Sequence, residues 1–250
     1  MSKNKIGKIL LNIYRLLLAC YGPQHWWPAE TPFEVVVGAI LTQSASWTNV
    51  EKAIANLKAA GALSPSELRR LPAEKIAELI HPSGYYNMKA LKLKSFVEFF
   101  SKEYGDSLER MAQEDVSILR EKLLKVHGIG EETADSIILY AVGKPVFVID
   151  AYTRRIVDRI GLDCHSGVPR LQSGDEESQG GGISSRRIPG KTKPRASYSA
   201  YQSLFMDNLP HDVHLFNEYH ALLVQHGKHT CKKKPVCERC CVREICPSLS

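Results

Sequence analysis

Four cysteines near the end of the chain have the spacing of metal ligands. Cys231, Cys237, Cys240 and Cys246 form the pattern Cys-x5-Cys-x2-Cys-x5-Cys, and Cys241 is an additional thiol beside the third of them. Five of the seven cysteines therefore lie in one short segment. Four thiolates can bind either a tetrahedral zinc ion or a [4Fe–4S] cluster. The spacing alone leaves both possibilities open.

A glycine turn between two helical patterns is suited to binding an anion. The apolar end of one pattern at Val126 is followed by Gly128, Ile129 and Gly130, and helical spacing resumes at Thr133. A bare turn at the start of a helix presents unpaired backbone N–H groups, and the helix dipole favours negative charge there. The turn is therefore a candidate binding site for the phosphates of a nucleic-acid backbone. A helical hairpin with no ligand would contain the same glycines.

One carboxylate follows the apolar run Pro145–Ile149. Asp150 stands between this run and a further helical pattern. Aspartate is a favoured N-cap, so the side chain has a structural role available to it. A carboxylate at the edge of a packed core is also partly desolvated, which strengthens its interaction with positive charge. Asp150 is thus a candidate for both capping and catalysis.

Composition indicates a globular, mildly basic protein. The chain has 250 residues, of which 44% are hydrophobic, and a formal net charge of +6. This is enough apolar material for one large or two modest cores, and the basic excess suits a polyanionic partner. No apolar run has the length of a membrane span, and the apolar core of a signal peptide does not follow Met1. We therefore expect a cytoplasmic protein with no membrane partner and with reduced cysteines.

Helical periodicity dominates the sequence. Apolar residues recur at helical spacing in residues 6–21, 32–41, 48–60, 64–70, 72–80, 88–104, 115–125, 198–209 and 212–228. The longest β-type pattern is Pro145–Ile149, so we predict an all-α fold. Four lysines in the helix predicted for residues 88–104 are expected to stay solvated: Lys89, Lys92, Lys94 and Lys102.

These motifs together resemble those of the endonuclease III superfamily of DNA glycosylases. The similarity rests on Gly128-Ile-Gly130-x-x-Thr133-Ala and on Val148-Ile149-Asp150, which match the helix-hairpin-helix and the Gly/Pro-rich, aspartate motif of that family. It runs from about residue 32 to residue 246. It implies a two-lobed fold, with a helical barrel at residues 29–143 that ends in the helix-hairpin-helix and a second lobe at residues 1–28 plus 144–250.

Residues 164–197 depart from the family pattern. They are rich in glycine, serine and charged residues, and family members cross this interval in fewer residues. Such a segment cannot bury an apolar core, so we predict a disordered insertion.

The resemblance implies a cofactor and a catalytic group. The C-terminal cysteine loop of the family has nearly the spacing seen here and holds a [4Fe–4S] cluster, so Cys231, Cys237, Cys240 and Cys246 are the expected ligands. Asp150 is the expected catalytic residue. Breaking an N-glycosidic bond builds positive charge on the sugar, which a carboxylate can stabilise directly or by deprotonating a water.

The resemblance also implies contacts with double-stranded DNA that contains a damaged base. The hairpin residues expected to bind DNA are His127, Gly128, Ile129, Gly130, Glu132 and Thr133. Gln43 matches the residue that fills the gap left by a flipped nucleotide, although a surface glutamine is the alternative. The flipped base is expected to meet Trp26, Trp27, Pro28 and Trp47. Each tryptophan could equally be a core aromatic residue.

Glu132 indicates the reaction type. Members of the family with lyase activity carry lysine at this position, and a carboxylate cannot form the Schiff base that starts β-elimination. With Trp26-Trp27-Pro28, the hairpin looks most like that of the endonuclease III-type 3-methyladenine DNA glycosylases. We therefore expect a monomeric, monofunctional base excision repair enzyme for alkylated purines, in the cytoplasm and associated with the nucleoid.

Two other functions stay open. One is a glycosylase or glycosylase/lyase for oxidised pyrimidines or mismatched thymine. The other is a non-catalytic DNA-binding module that uses the hairpin and the cysteine loop only to hold DNA.

Overall fold

The computed structural model describes residues 3–162 and 196–247 and confirms the all-α prediction, with no β-strand in these ranges. The predicted insertion at residues 164–197 lies outside the described residues, apart from Ala196 and Ser197. The helices are α1 (Lys3–Tyr21), α2 (Pro32–Leu41), α3 (Trp47–Ala59), α4 (Pro65–Arg70), α5 (Ala73–Leu79), α6 (Tyr86–Tyr104), α7 (Leu108–Gln113), α8 (Val116–Leu124), α9 (Glu131–Ser136), α10 (Ala151–Ile160), α11 (Tyr198–Met206) and α12 (Val213–His229). Among them, none is long and apolar enough to cross a membrane.

The chain forms two compact units. The hairpin unit comprises Pro23–Val148 and Pro210–Ala221, and the cysteine unit comprises Met1–Gly22, Ile149–Leu209 and Leu222–Ser250. Residues belong to the same unit when they have most of their contacts with one another. The lobe boundaries predicted from the sequence, at residues 28/29 and 143/144, stay a prediction.

Local sequence signals account for the starts of several helices. Thr31 caps α2, because its Oγ1 accepts a hydrogen bond from the Glu34 backbone N–H at 3.2 Å, and Pro32 occupies the first helical position. Ser64 and Pro65 start α4 in the same way. Threonine or serine before proline suits a helix start, because the hydroxyl satisfies a free N–H and proline has none to lose.

Helix α2 is the central helix of the hairpin unit. All of its residues after Pro32 are buried. It contacts α3, α6, α9 and the π-helical turn Ile137–Ala141 that continues α9. A helix buried on all sides is held by packing rather than by its own amphipathic pattern.

The core of the cysteine unit lies among α1, α10, α11 and the end of α12. Large side chains from the first three of these helices are fully buried, among them Leu10, Leu17, Ile156, Tyr201 and Phe205. Helices α10 and α12 meet closely, since a Cβ atom at Gly227 would lie 2.6 Å from Cβ of Tyr152. Only glycine allows this approach.

The prediction that the lysines of α6 stay solvated is wrong for Lys89, whose residue surface is 1% exposed. Its Nζ donates hydrogen bonds to the carbonyl oxygens of Leu41 at 2.8 Å and Ser83 at 2.7 Å. The amine thereby satisfies carbonyls left free at the end of α2 and at the 3₁₀ turn before α6. Burial, and then the nearby charge of Lys92, lower the pKa of Lys89 to about 8. Lys92 and Lys94 are half-buried.

Lys89 should make the stability of the protein depend on pH. Between its folded-state pKa of about 8 and its usual value of 10.5, the unfolded chain binds more protons than the native protein. The free energy of unfolding should therefore rise with pH across this window, by at most about 3 kcal/mol. Denaturant unfolding of the unmodified protein and of Lys89→Met tests this. The free energy of unfolding of the unmodified protein should rise relative to that of Lys89→Met as the pH rises. Lys102→Met is the control, because Lys102 is exposed on the same helix. A difference that does not change with pH would contradict a buried amine.

Candidate functional site

The predicted glycine turn joins two helices. Helix α8 ends at Leu124, α9 begins at Glu131, and Gly130 is the N-cap residue. Gly128 has a φ of +82°, in the left-handed region that favours glycine. A Cβ atom at Gly130 would meet no neighbouring atom within 4 Å, so the turn is open on this side. The predicted arrangement of two helices joined by a glycine hairpin is confirmed. Its contacts with DNA stay a prediction.

An ion pair with one buried partner ties the two helices of the hairpin together. Arg120 of α8 donates from Nε to Oδ1 of Asp135 in α9 at 2.7 Å, and Asp135 is fully buried. Arg120 also lies 3.5 Å from Glu131. Loss of Arg120 would remove the cationic partner of a fully buried carboxylate, which is costly. Sequence reasoning missed this pair, because nothing in local spacing links residues 120 and 135.

The helix after the turn changes its hydrogen bonding. The Val142 N–H donates to the Ile137 carbonyl at 3.0 Å, which is the i to i+5 pattern of a π-turn. This turn carries Tyr140, whose ring lies 5.4 Å from that of Trp27. Single π-turns are frequent at functional sites because they redirect a side chain without ending the helix. Tyr140 is therefore a candidate site residue that the sequence did not indicate.

Gln43 is held against the hairpin. Its Nε2 donates to the Gly128 carbonyl at 3.1 Å and to Oγ1 of Thr133 at 2.9 Å. Lys92 of α6 donates from Nζ to Oε1 of Gln43. Gln43 is half-buried and has three partners, so it is not merely a surface glutamine. Its predicted role in the gap left by a flipped nucleotide is untested.

The three tryptophans form one aromatic cluster. Ring centroids are 4.9 Å apart for Trp26 and Trp27, 4.7 Å for Trp26 and Trp47, and 5.4 Å for Trp27 and Trp47. All three are half-buried, whereas Pro28 is exposed. Their predicted role as a base pocket stays a prediction. Trp27 lies on α2 at Gly38, where a Cβ atom would be 3.0 Å from Cζ2 of the indole. A lone glycine within this apolar helix was the available sequence signal for that close approach.

Asp150 caps α10, as the sequence predicts. Its Oδ1 accepts the Thr153 backbone N–H at 2.7 Å, and the residue is 8% exposed. The preceding Ile149 N–H donates to the Tyr198 hydroxyl at 3.2 Å, which fixes the end of the apolar run. Within the described residues no hydrogen bond is assigned to Oδ2, so capping occupies one of the two carboxylate oxygens. The predicted catalytic role is untested by this geometry.

The four predicted metal ligands line one cavity of about 130 Å³ in the cysteine unit. Apolar side chains complete much of its wall, whereas Cys241 is not part of it; the cavity includes Cys231, Cys237, Cys240, Cys246, Ile156, Ile160 and Val242. The thiols surround the cavity and do not converge, since the described part of the chain has no group of three potential ligands placed to hold one metal ion. Four thiols around one largely apolar cavity fit the donor set of a [4Fe–4S] cluster.

Two polar side chains lie beside these thiols. Arg159 of α10 donates to Sγ of Cys231 at 3.1 Å, and Nε2 of His226 lies 3.7 Å from Sγ of Cys240. Burial lowers the pKa of His226 to about 4, and the Tyr21 hydroxyl lies 2.8 Å from its Nδ1. Burial also raises the pKa of the Cys240 thiol, so a bound metal would be needed to favour the thiolate. Hydrogen bonds to sulfur are a common feature around metal–thiolate groups.

The chain is similar to proteins of one family. Residues 37–166 match the family described as HhH-GPD superfamily base excision DNA repair protein. A protein of Methanocaldococcus jannaschii, named provisionally as a DNA repair glycosylase, is 42% identical over 99% of this chain and 100% of its own length.

Solved structures have the same fold. The 3-methyladenine DNA glycosylase of H. pylori, bound to 1,N6-ethenoadenine, is 26% identical with a TM-score of 0.65, over 91% of this chain and 98% of that one. A non-covalent endonuclease III–DNA complex is 18% identical with a TM-score of 0.72, over 99% and 96% of the two chains. The second likeness concerns the fold alone.

Proposed function

Because the chain belongs to the HhH-GPD superfamily of base excision DNA repair proteins, it is a DNA glycosylase, and we propose that it removes alkylated purines of the 3-methyladenine type from double-stranded DNA. In this proposal the enzyme hydrolyses the N-glycosidic bond of a flipped nucleotide and has no efficient lyase step. It acts as a monomer.

The aromatic cluster is the observation that carries the substrate class. Trp26, Trp27 and Trp47 are half-buried and in mutual contact, and Tyr140 adds a fourth ring at Trp27. Purines alkylated at N3 or N7 are cationic and leave readily, so they can be selected by stacking on electron-rich rings without protonation of the leaving group. The similar H. pylori protein is a 3-methyladenine DNA glycosylase, which agrees with this substrate class.

Asp150 is the proposed catalytic residue. Its carboxylate is largely shielded from water, which strengthens its interaction with a developing positive charge. It either stabilises the oxocarbenium-like transition state or deprotonates the attacking water. The hairpin residues and Gln43 bind the DNA in this scheme. Water attacks C1′, the cationic purine leaves as a neutral base, and Asp150 is the side chain assigned to accept the proton of the water or to stabilise the charge on the sugar.

Base release from defined duplexes under single-turnover conditions tests this function. We expect release from duplexes that contain 3-methyladenine or 7-methylguanine, which are cationic, and none from duplexes with an oxidised pyrimidine or a G·T mispair. Asp150→Asn should bind DNA as before but release base at least about a hundredfold more slowly, because the carboxylate acts on charge present only in the transition state.

The two variants at residue 150 separate the catalytic role of the carboxylate from its capping role. Asparagine is as good an N-cap as aspartate, so Asp150→Asn should keep its stability, whereas Asp150→Ala should lose about 1 kcal/mol. Release from oxidised or mispaired substrates instead of alkylated ones would overturn the substrate class. Unchanged release by Asp150→Asn would remove the catalytic assignment, and binding with no release from any duplex would favour a non-catalytic DNA-binding module.

Glu132 leads to a prediction about the lyase step. The residue is exposed in the first turn of α9, and its carboxylate cannot form a Schiff base. Incubation with abasic DNA and borohydride should therefore trap no covalent adduct, and strands should break only after alkali treatment. Glu132→Lys should allow weak trapping if the new amine is partly neutral. Efficient trapping by the unmodified protein would mean that another lysine reaches C1′, with Lys125 and Lys144 the nearest in sequence on either side of the hairpin.

We also propose that Cys231, Cys237, Cys240 and Cys246 bind a [4Fe–4S] cluster, which when bound would link the ends of the loop covalently through iron. Purified protein should contain about four irons and four sulfides per chain. Cys240→Ser should lose most of this iron, whereas Cys241→Ser, a change at the neighbouring thiol outside the cavity, should keep it. Zinc in anaerobically purified protein, or equal iron loss in both variants, would contradict this ligand set.

A further inference from the structure

Lys92 joins three parts of the hairpin unit. Its ammonium group donates to Oε1 of Gln43. Its side-chain carbons occupy the space beside Gly128, where a Cβ atom would lie 2.2 Å from Cγ and 2.6 Å from Cδ of the lysine. The helix that carries it, α6, is anchored to the end of α2, two residues before Gln43, by Lys89, whose Nζ donates to the carbonyl of Leu41. Lys92 is therefore fixed both at its stem and at its charged end.

The contacts around Gln43 select one orientation of its amide. An ammonium group only donates, so it requires the Oε1 end of the amide. This leaves Nε2 to donate to the Gly128 carbonyl and to Oγ1 of Thr133. A reversed amide would direct its NH2 group at the ammonium of Lys92 and its oxygen at a carbonyl. Hydrogen bonds from a charged donor are stronger than neutral ones, so Lys92 contributes most to this preference.

Ordering Gln43 in advance has a clear benefit for a residue that must enter DNA. A free glutamine side chain loses considerable rotamer freedom when it is immobilised. If the side chain of Gln43 is already restricted in the free protein, less conformational entropy is lost when DNA binds. The affinity for DNA is higher as a result. Gly128 and Thr133 hold the Nε2 end of the amide, and Lys92 supplies the donor that holds the Oε1 end.

We propose that Lys92 is a positioning residue that orders Gln43 for entry into the space left by the flipped nucleotide. The inference rests on the proposed function, because it takes Gln43 to act on DNA. Lys92 acts through Gln43 and need not touch the DNA. A direct contact between Lys92 and a phosphate is the competing explanation.

A double-mutant cycle separates these explanations. The variants are Lys92→Met, Gln43→Ala and the combination of both, with Lys102→Met as the matched control on an exposed part of the same helix. Base flipping is read from the fluorescence of 2-aminopurine placed next to the lesion, and excision is read under single-turnover conditions. Lys92→Met should reduce flipping and excision about tenfold when Gln43 is present, as expected for loss of a hydrogen bond from a charged group. It should change them less than about twofold when Gln43 is already alanine.

A measurement without DNA tests the ordering itself. In the unmodified protein the side-chain amide of Gln43 should be rigid by NMR relaxation, and Lys92→Met should make it mobile while the thermal unfolding midpoint stays close to that of Lys102→Met. Should Lys92→Met fold poorly, Lys92→Gln is the second variant, since it keeps a hydrogen-bond donor for Oε1 of Gln43 without the charge and should show a smaller loss of order.

Each remaining outcome decides the question. An equal effect of Lys92→Met with and without Gln43, together with a reduction of about one in the salt slope of DNA binding, would mean that Lys92 binds a phosphate, and the positioning role would be rejected. A rigid Gln43 amide in Lys92→Met would also reject it. If Gln43→Ala alone leaves flipping and excision unchanged, the premise about Gln43 is wrong and the role of Lys92 is rejected with it. Excision that depends on Asp150 would still support the glycosylase assignment in that case.

Discussion

The hairpin unit depends on the missing side chain at Gly128. The residue has a left-handed backbone conformation, and the carbons of Lys92 fill the space that a Cβ atom would take. Its carbonyl accepts the amide of Gln43. The turn, helix α6 and the loop after α2 therefore meet at one backbone position. Any side chain there would strain the turn and also displace the lysine, so the arrangement of Gln43 and Lys92 at the turn depends on this glycine.

Cationic side chains hold much of the irregular backbone in place. Lysines and arginines donate to carbonyls that helix ends and loops leave free: Lys89 to Leu41 and Ser83, Lys94 to Arg69 and Leu71, Arg155 to Gly227 and Cys231, and Arg159 to Lys232 and Lys233. Such groups carry several donors each and no acceptor, which suits them to carbonyl-rich loops. Part of the basic excess of the chain is therefore structural. Net charge alone overstates how many cations are available to bind DNA.

The sequence predicted features that local chemistry determines. Helix α2 was predicted with its observed bounds, the glycine turn was placed correctly, and Asp150 caps its helix as expected. The sequence did not predict the burial of Lys89. Helical periodicity shows where apolar residues recur, but it does not show which carbonyl groups a lysine amine can reach. The Arg120–Asp135 pair and the contact between Tyr140 and Trp27 were missed for a related reason. Both contacts join residues that are brought together by packing. The spacing of residues along the chain does not indicate such contacts.

The two acidic residues of the proposed mechanism differ in their surroundings in a way that matches their proposed roles. Asp150 is shielded from water and uses one carboxylate oxygen to cap α10. Glu132 is exposed at the start of α9, where solvent weakens its electrostatic effect and where it completes the first turn of the helix. A desolvated carboxylate stabilises positive charge far better than an exposed one. In the proposed reaction the hairpin therefore contributes binding, and the chemistry falls to Asp150, whose capping bond orients it before the substrate arrives.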